Sequence, residues 1–227
     1  MKKILCILLI TNSLINIYAQ DSSFTKPDYD LIKSKTADKN AATYYPKLIK
    51  RYNENDTTLT SDEYRLLYYG FLYENGSSPY TIIAYDDSVK SILQQKSLGA
   101  GDTVLLIAYE KKILEQSPFS LRNLNILSYA YYKKGDPIST LINFKIRSIA
   151  QTVLSTGDGK TVNSGYHVIA ISDEYDMLEL LGLQFGGSQS LIGNCDYLKV
   201  KDNSYDIKGI YFDATKILEA ESKLFDH

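Results

Sequence analysis

Apolar positions along the first two thirds of the chain recur with helical spacing. Tyr64, Leu67, Tyr68, Phe71 and Leu72 fall at i, i+3, i+4, i+7 and i+8, one stripe of a strongly amphipathic helix. Thr60 and Glu63 form a capping box ahead of it, and Leu59 is placed to staple onto Tyr64. The polar run 75–79 (NGSSP) stops it. Two helices are predicted upstream. A weak one spans 28–39 with Tyr29, Leu31 and Ile32 as contacts, and a better one spans 41–53 with Tyr45, Leu48, Ile49 and Tyr52 on one face. Residues 20–27 have the composition of a disordered leader, and 80–85 are irregular. A further helix runs from Asp86 or Asp87 to about Leu98, carrying Val89, Ile92 and Leu93.

Residues 101–136 organise the rest. Asp102 is a candidate cap, and Leu106, Tyr109 and Ile113 share a face behind it. Pro118 ends that helix, since it lacks an N–H and disfavours helix at the residue before it. Ser120 caps the next, whose stripe is Leu124, Leu127 and Tyr131. Gly135 suits a left-handed stop, and Asp136-Pro137 restarts the chain as cap plus first-turn proline. The following helix, 137–154, turns Ile138, Leu141, Ile142, Ile146 and Ile149 inward. The hairpin resembles a tetratricopeptide repeat. Pro118, Leu124, Leu127, Ser128, Tyr131, Gly135 and Asp136 stand at matching spacings, and the Gly-Asp pairs at 101 and 135 lie 34 residues apart, that repeat's period. Thr140 and Arg147 depart from the pattern where it has small residues.

After residue 154 the pattern shortens. Residues 155–165 are a loop by composition, and 166–171 is a β-rich run. Ser172 is a candidate cap for a helix over 173–181 that Gly182 closes. Residues 183–185 are a short strand, Gly186-Gly187 a tight turn, and 197–201 and 207–212 are strands joined through residues 202–204. A last helix spans 214–224, packing through Ile217, Leu218 and Leu224. The expected fold is α+β: tetratricopeptide-like stacked helical hairpins, then a small antiparallel β-sheet with one or two helices. The expected division is a signal peptide at 1–19, a helical region at 20–154 and an α/β region at 155–227 packed on it as one structural unit.

The first nineteen residues carry the export reading. Lys2 and Lys3 precede an apolar stretch from Ile4 to Ile17, and Tyr18-Ala19-Gln20 offers a small-residue cleavage site. The stretch is too short and too polar for a membrane span, so no stable membrane anchor is expected after cleavage. Removing it takes Lys+Arg from 25 to 23 against 27 Asp+Glu, a net charge of about −4. A mildly acidic chain without a basic block argues against nucleic acid as a partner. Cys6 leaves with the leader. Cys195 is then alone, so an intrachain disulfide is excluded and stability rests on core burial.

The run 67–70 (LYYG), Pro79-Tyr80, Gly157-Asp158-Gly159, His167-Val168-Ile169 through Asp173-Glu174-Tyr175, and Tyr211-Phe212-Asp213 together resemble an uncharacterised family of small exported Bacteroidetes proteins, over most of the mature chain. The resemblance implies export and a single structural unit. It implies no activity, and no functional residue carries over.

Candidate chemistry is sparse. Residues 157–161 (GDGKT) end like a phosphate-binding loop, but the motif's first glycine falls at Leu154, so a helix-ending turn is the simpler reading. His167 and Cys195 are a possible base and nucleophile, although no neighbouring cation marks the thiol as activated. Asp173, Glu174 and Asp176 cluster in the first turns of a helix, where acids suit the dipole without any function. No cofactor or metal is called for. The 20 tyrosines of a chain without tryptophan are more suggestive. Successive tyrosines cannot all face one core, and exposed tyrosine suits recognition. The leading expectation is therefore a non-enzymatic module that binds a protein or peptide of the cell envelope, with Tyr69, Tyr129 and Tyr132 as contacts. The alternatives are an exported envelope- or glycan-directed hydrolase using His167, Asp173 and Glu174, or a tyrosine-based glycan binder. Geometry discriminates: a histidine and an acid converging in a pocket favours the enzyme, and scattered polar groups beside a tyrosine-lined groove favour binding.

Overall fold

The computed structural model describes residues 24–74, 85–95 and 97–225. The expected signal peptide, the first residues of the expected leader and all of 75–84 lie outside the described residues. Among the described residues no helix is long and apolar enough to cross a membrane.

Local chemistry places the helices. Helix α1 (Tyr29–Ala37) is capped by Asp28, whose carboxylate accepts the Leu31 N–H at 2.9 Å. Helix α2 (Tyr45–Asn53) has Pro46 in its first turn. Helix α3 (Ser61–Gly70) opens on the expected capping box: Thr60 Oγ1 accepts from Glu63 N at 3.2 Å, and Glu63 Oε2 accepts from Thr60 N at 2.8 Å. Helix α4 (Asp86–Leu93) is shorter than predicted. Helix α5 (Ala100–Gln116) starts two residues before Asp102, so that residue is not its cap. Its carboxylate instead reaches back to the Gly99 N–H at 2.8 Å. Helix α6 (Leu121–Lys133) is capped by Ser120, Gly135 takes φ +69° as the stop requires, and helix α7 (Ile138–Leu154) follows Asp136-Pro137. Helices α5, α6 and α7 pack in sequence, each against the next.

The sheet is mixed, not purely antiparallel. Its order is β1-β4-β3-β2. Strand β1 (Tyr166–His167) lies parallel to β4 (Gly209–Asp213), with Tyr166 opposite Phe212 and His167 opposite Asp213. Strand β3 (Cys195–Val200) runs antiparallel to β4 and to β2 (Phe185–Ile192). Helix α8 (Ile171–Leu180) follows β1, and helix α9 (Thr215–Phe225) follows β4. Ser172 lies inside α8 rather than capping it, because the helix begins right after extended Ala170. Gly186-Gly187 is not a turn. Strand β2 continues through it with a register shift between Phe185 and Gln189, and a Cβ at Gly186 would sit 3.0 Å from the Val200 carbonyl carbon, so the glycine permits close pairing. The hairpin turns at Gly193-Asn194 instead, where Gly193 has φ +62°.

One apolar core runs through both the helical and the sheet-bearing parts, from Ile32, Leu48 and Leu67 to Leu198, Phe212 and Ile217. A smaller cluster (Val89, Ile92, Leu106, Ile113 and Ala130) joins α4, α5 and α6. The described end of the expected leader is not loose. Thr25 N–H donates to Ser155 O at 3.0 Å, Arg65 donates to Thr25 O, and Pro27 is buried.

Candidate functional site

Helix α3 buries both of its paired tyrosines. Tyr68 and Tyr69 pack edge-to-face, with ring centroids 4.9 Å apart. The Tyr69 hydroxyl donates to the His167 carbonyl at 3.1 Å, and that of Tyr68 donates to Asp173 Oδ2 at 2.6 Å. Tyr69 therefore ties the helices to β1 and cannot meet a partner, contrary to expectation. Two neighbouring tyrosines both face inward because α3 is covered on two sides, by α1 and α2 and by α7. On α6, by contrast, Tyr129 is 42% and Tyr132 71% exposed.

The polar candidates sit in separate environments. His167 is buried, with Nδ1 3.3 Å from the Tyr29 hydroxyl and Nε2 3.7 Å from Asp213 Oδ2. Burial pulls its pKa below the ordinary value, against the attraction of Asp213. Asp173 is held by Tyr68, and burial pushes it up to about 7. Glu174 is fully buried, no N–H or O–H of another residue donates to its carboxyl, and it faces the carboxyl of Asp196. Burial, then the nearby Asp196 carboxylate, push it up to about 9. Asp176 accepts the Arg122 N–H at 2.9 Å. Cys195 donates its thiol to Val162 O at 3.3 Å, and burial raises it to about 11. His167 and Cys195 both stand opposite Asp213 in the sheet, but no hydrogen bond joins imidazole to thiol, and a thiol raised this far is a poor nucleophile at neutral pH. In the 157–161 loop, Asp158 accepts from Lys160 N and Ser164 Oγ, so those donors are already used by the loop's own carboxylate. Among the described residues no group of His, Cys, Asp and Glu could hold a metal ion.

A different site is built where α2 meets α5, α6 and α7. A cleft of about 440 Å³ opens there, with Tyr45, Tyr52, Tyr131, Leu127 and Ile142 in its walls and Asn53, Lys111 and Glu115 at its rim. Its volume falls in the range of small-ligand sites. Two wall hydroxyls are already used: Tyr52 donates to Pro118 O at 2.8 Å and Tyr45 to Leu67 O at 3.3 Å. These rings therefore present faces and edges, fixed in place. The buried charged group of the cleft is Lys145, on α7 and only 8% exposed. Its Nζ stands 4.2 Å from the centre of the Tyr52 ring, and among the described residues no carboxylate or carbonyl accepts from it. Burial lowers it to about 8, which still leaves it mostly charged at neutral pH.

A family model matches residues 30–223, nearly the whole described fold. The chain belongs to the family of the domain of unknown function DUF4919. No curated protein and no solved structure matches it. In this DUF4919 member the sequence carries one local sign of the cleft. Lys145 falls three residues after Ile142 and four before Ile149, so a lysine interrupts the buried stripe of α7. Periodicity puts Tyr52 and Tyr131 on inward faces, but nothing local says that those two faces leave a gap between them.

Proposed function

We propose that this DUF4919 chain is an exported, non-catalytic binding module whose cleft between α2 and α5–α7 receives a protein or peptide of the cell envelope. One contrast carries the reading. His167 is packed against Asp213 in the core, Glu174 is enclosed, and Asp173 reaches only a pocket of about 70 Å³ that the histidine does not line, whereas rigid tyrosine faces and a buried lysine share one solvent-reaching cleft of about 440 Å³. Pre-fixed aromatic walls bind at little cost in conformational entropy. Tyr129 and Tyr132 do not line this cleft, and serve at most as flanking contacts on the outer face of α6.

The test is capture from an envelope extract, run in parallel with the wild-type chain and a rim variant carrying Lys111→Glu and Glu115→Lys. Both residues are exposed, so the swap leaves the fold and net charge intact. A partner recovered near one-to-one by the wild type and lost by the variant supports the proposal. Absence of a partner, or equal recovery by both, overturns it.

A further inference from the structure

Lys145 is the unexplained group in this cleft. An ammonium carries three N–H donors. The residue is 8% exposed, so its stem is buried while Nζ reaches water only through the cleft, and a ring face attracts the charge without accepting those donors as an oxygen does. Buried charges are ordinarily paired, and one left without a partner is costly. The other cation of the cleft, Lys111, is exposed at the rim, 5.9 Å from the Tyr131 ring centre, and Glu115 is also exposed and forms no ion pair with Lys145. The cleft thus holds one unpaired ammonium at its base and an apolar, aromatic wall around it.

We propose that the cleft captures the C-terminus of a partner chain, its terminal carboxylate on Lys145 and its last, apolar side chain against Tyr52, Leu127 and Tyr131. This rests on the binding-module reading and names the chemistry of its ligand. A carboxylate supplies the absent countercharge and takes the place of water as acceptor, and charge-assisted bonds are the stronger class. A chain end fits better than a mid-chain segment, because it needs one exit, whereas a threaded segment buries backbone groups at two apolar walls without partners. An anion without an apolar body leaves the tyrosine wall unfilled, and a cation is repelled by Lys145.

The experiment compares N-acetyl-phenylalanine with its C-terminal amide on the chain from residue 20 onward, reading dissociation constants from amide chemical-shift changes. The acid is expected to bind about tenfold or more tighter than the amide, with shifts concentrated at the cleft residues. In Lys145→Met, which keeps an unbranched side chain of similar length, the acid is expected to fall to the affinity of the amide. Acid and amide binding alike in the cleft overturns the carboxylate inference while leaving the binding module standing. The same inference fails if neither binds at millimolar concentration, or if the acid binds Lys145→Met as well as the wild type. Comparing acid with amide on the unaltered chain keeps the test valid even if Lys145→Met does not fold.

Discussion

Glu174 gives the sharpest test of the claim that the buried acids are structural. Its carboxyl is fully enclosed and its pKa is pushed to about 9 from an ordinary 4.5. Between those two values the native state keeps a proton that the unfolded chain has released. Stability from this group is therefore fully present below about pH 4.5 and is lost as pH rises toward 9. Each tenfold drop in proton concentration costs about 1.4 kcal/mol, so holding the proton costs up to about 5 kcal/mol at pH 8 and under about 1 kcal/mol at pH 5. Glu174→Gln keeps the shape and carries no titrating proton. Local relaxation and entering water take up part of the cost. The variant is expected to be more stable than wild type by about 2 kcal/mol or more at pH 8, and to match it within about 1 kcal/mol at pH 5. Asp173 and Glu110, raised to about 7 and about 8, drive stability in the same direction, and His167, lowered, opposes them below its ordinary value of 6.5. All three are present in both proteins and largely cancel in the difference. Urea unfolding followed by far-ultraviolet circular dichroism at the two pH values reads the effect as a midpoint shift at constant slope. A variant less stable than wild type at pH 8 refutes the reasoning, because it means that Glu174 is ionised and paired in the native state.

Other outcomes follow from the packing. Gly157→Ala places a Cβ 2.1 Å from the Ser164 carbonyl oxygen and is expected to cost about 3 kcal/mol or more in chemical denaturation, whereas Gly135→Ala meets open space at φ +69° and costs about 1 kcal/mol. Tyr132→Ala removes a ring that is mostly in solvent and shifts unfolding free energy by no more than about 0.5 kcal/mol, and a large loss of stability in urea would place that ring in the core. Cys195 is expected to react with an aromatic disulfide reagent only at the rate of unfolding, and fast labelling of the native protein would contradict its burial and raised thiol pKa.

Much of the helical layer was legible because its signals are local. The Thr60–Glu63 capping box, the Ser120 cap, the Gly135 stop and the stripe of α7 each lie within a few residues and appear as predicted. The sheet was less legible. Gly186-Gly187 has turn composition, yet its role is set by Lys199 and Val200, which press against it from β3. The parallel pairing of β1 with β4 depends on segments more than 40 residues apart, which no window of the sequence contains. Exposure was the hardest to read. Tyr69 and Tyr132 are both members of tyrosine pairs on helices, and only the number of covered faces on α3 and α6 separates a core ring from a solvent one. The cleft was visible only as a lysine out of place in an apolar stripe.

The most direct test of the binding account is site-specific photo-crosslinking in the envelope of the source cell. A photoreactive side chain is placed at Lys111, on the cleft rim, and in a second protein at Tyr205, an exposed position away from it. The account predicts one discrete protein adduct from position 111, absent from position 205 and suppressed when Lys145 is replaced by Met. An adduct of equal yield from both positions, or none from position 111, would contradict it.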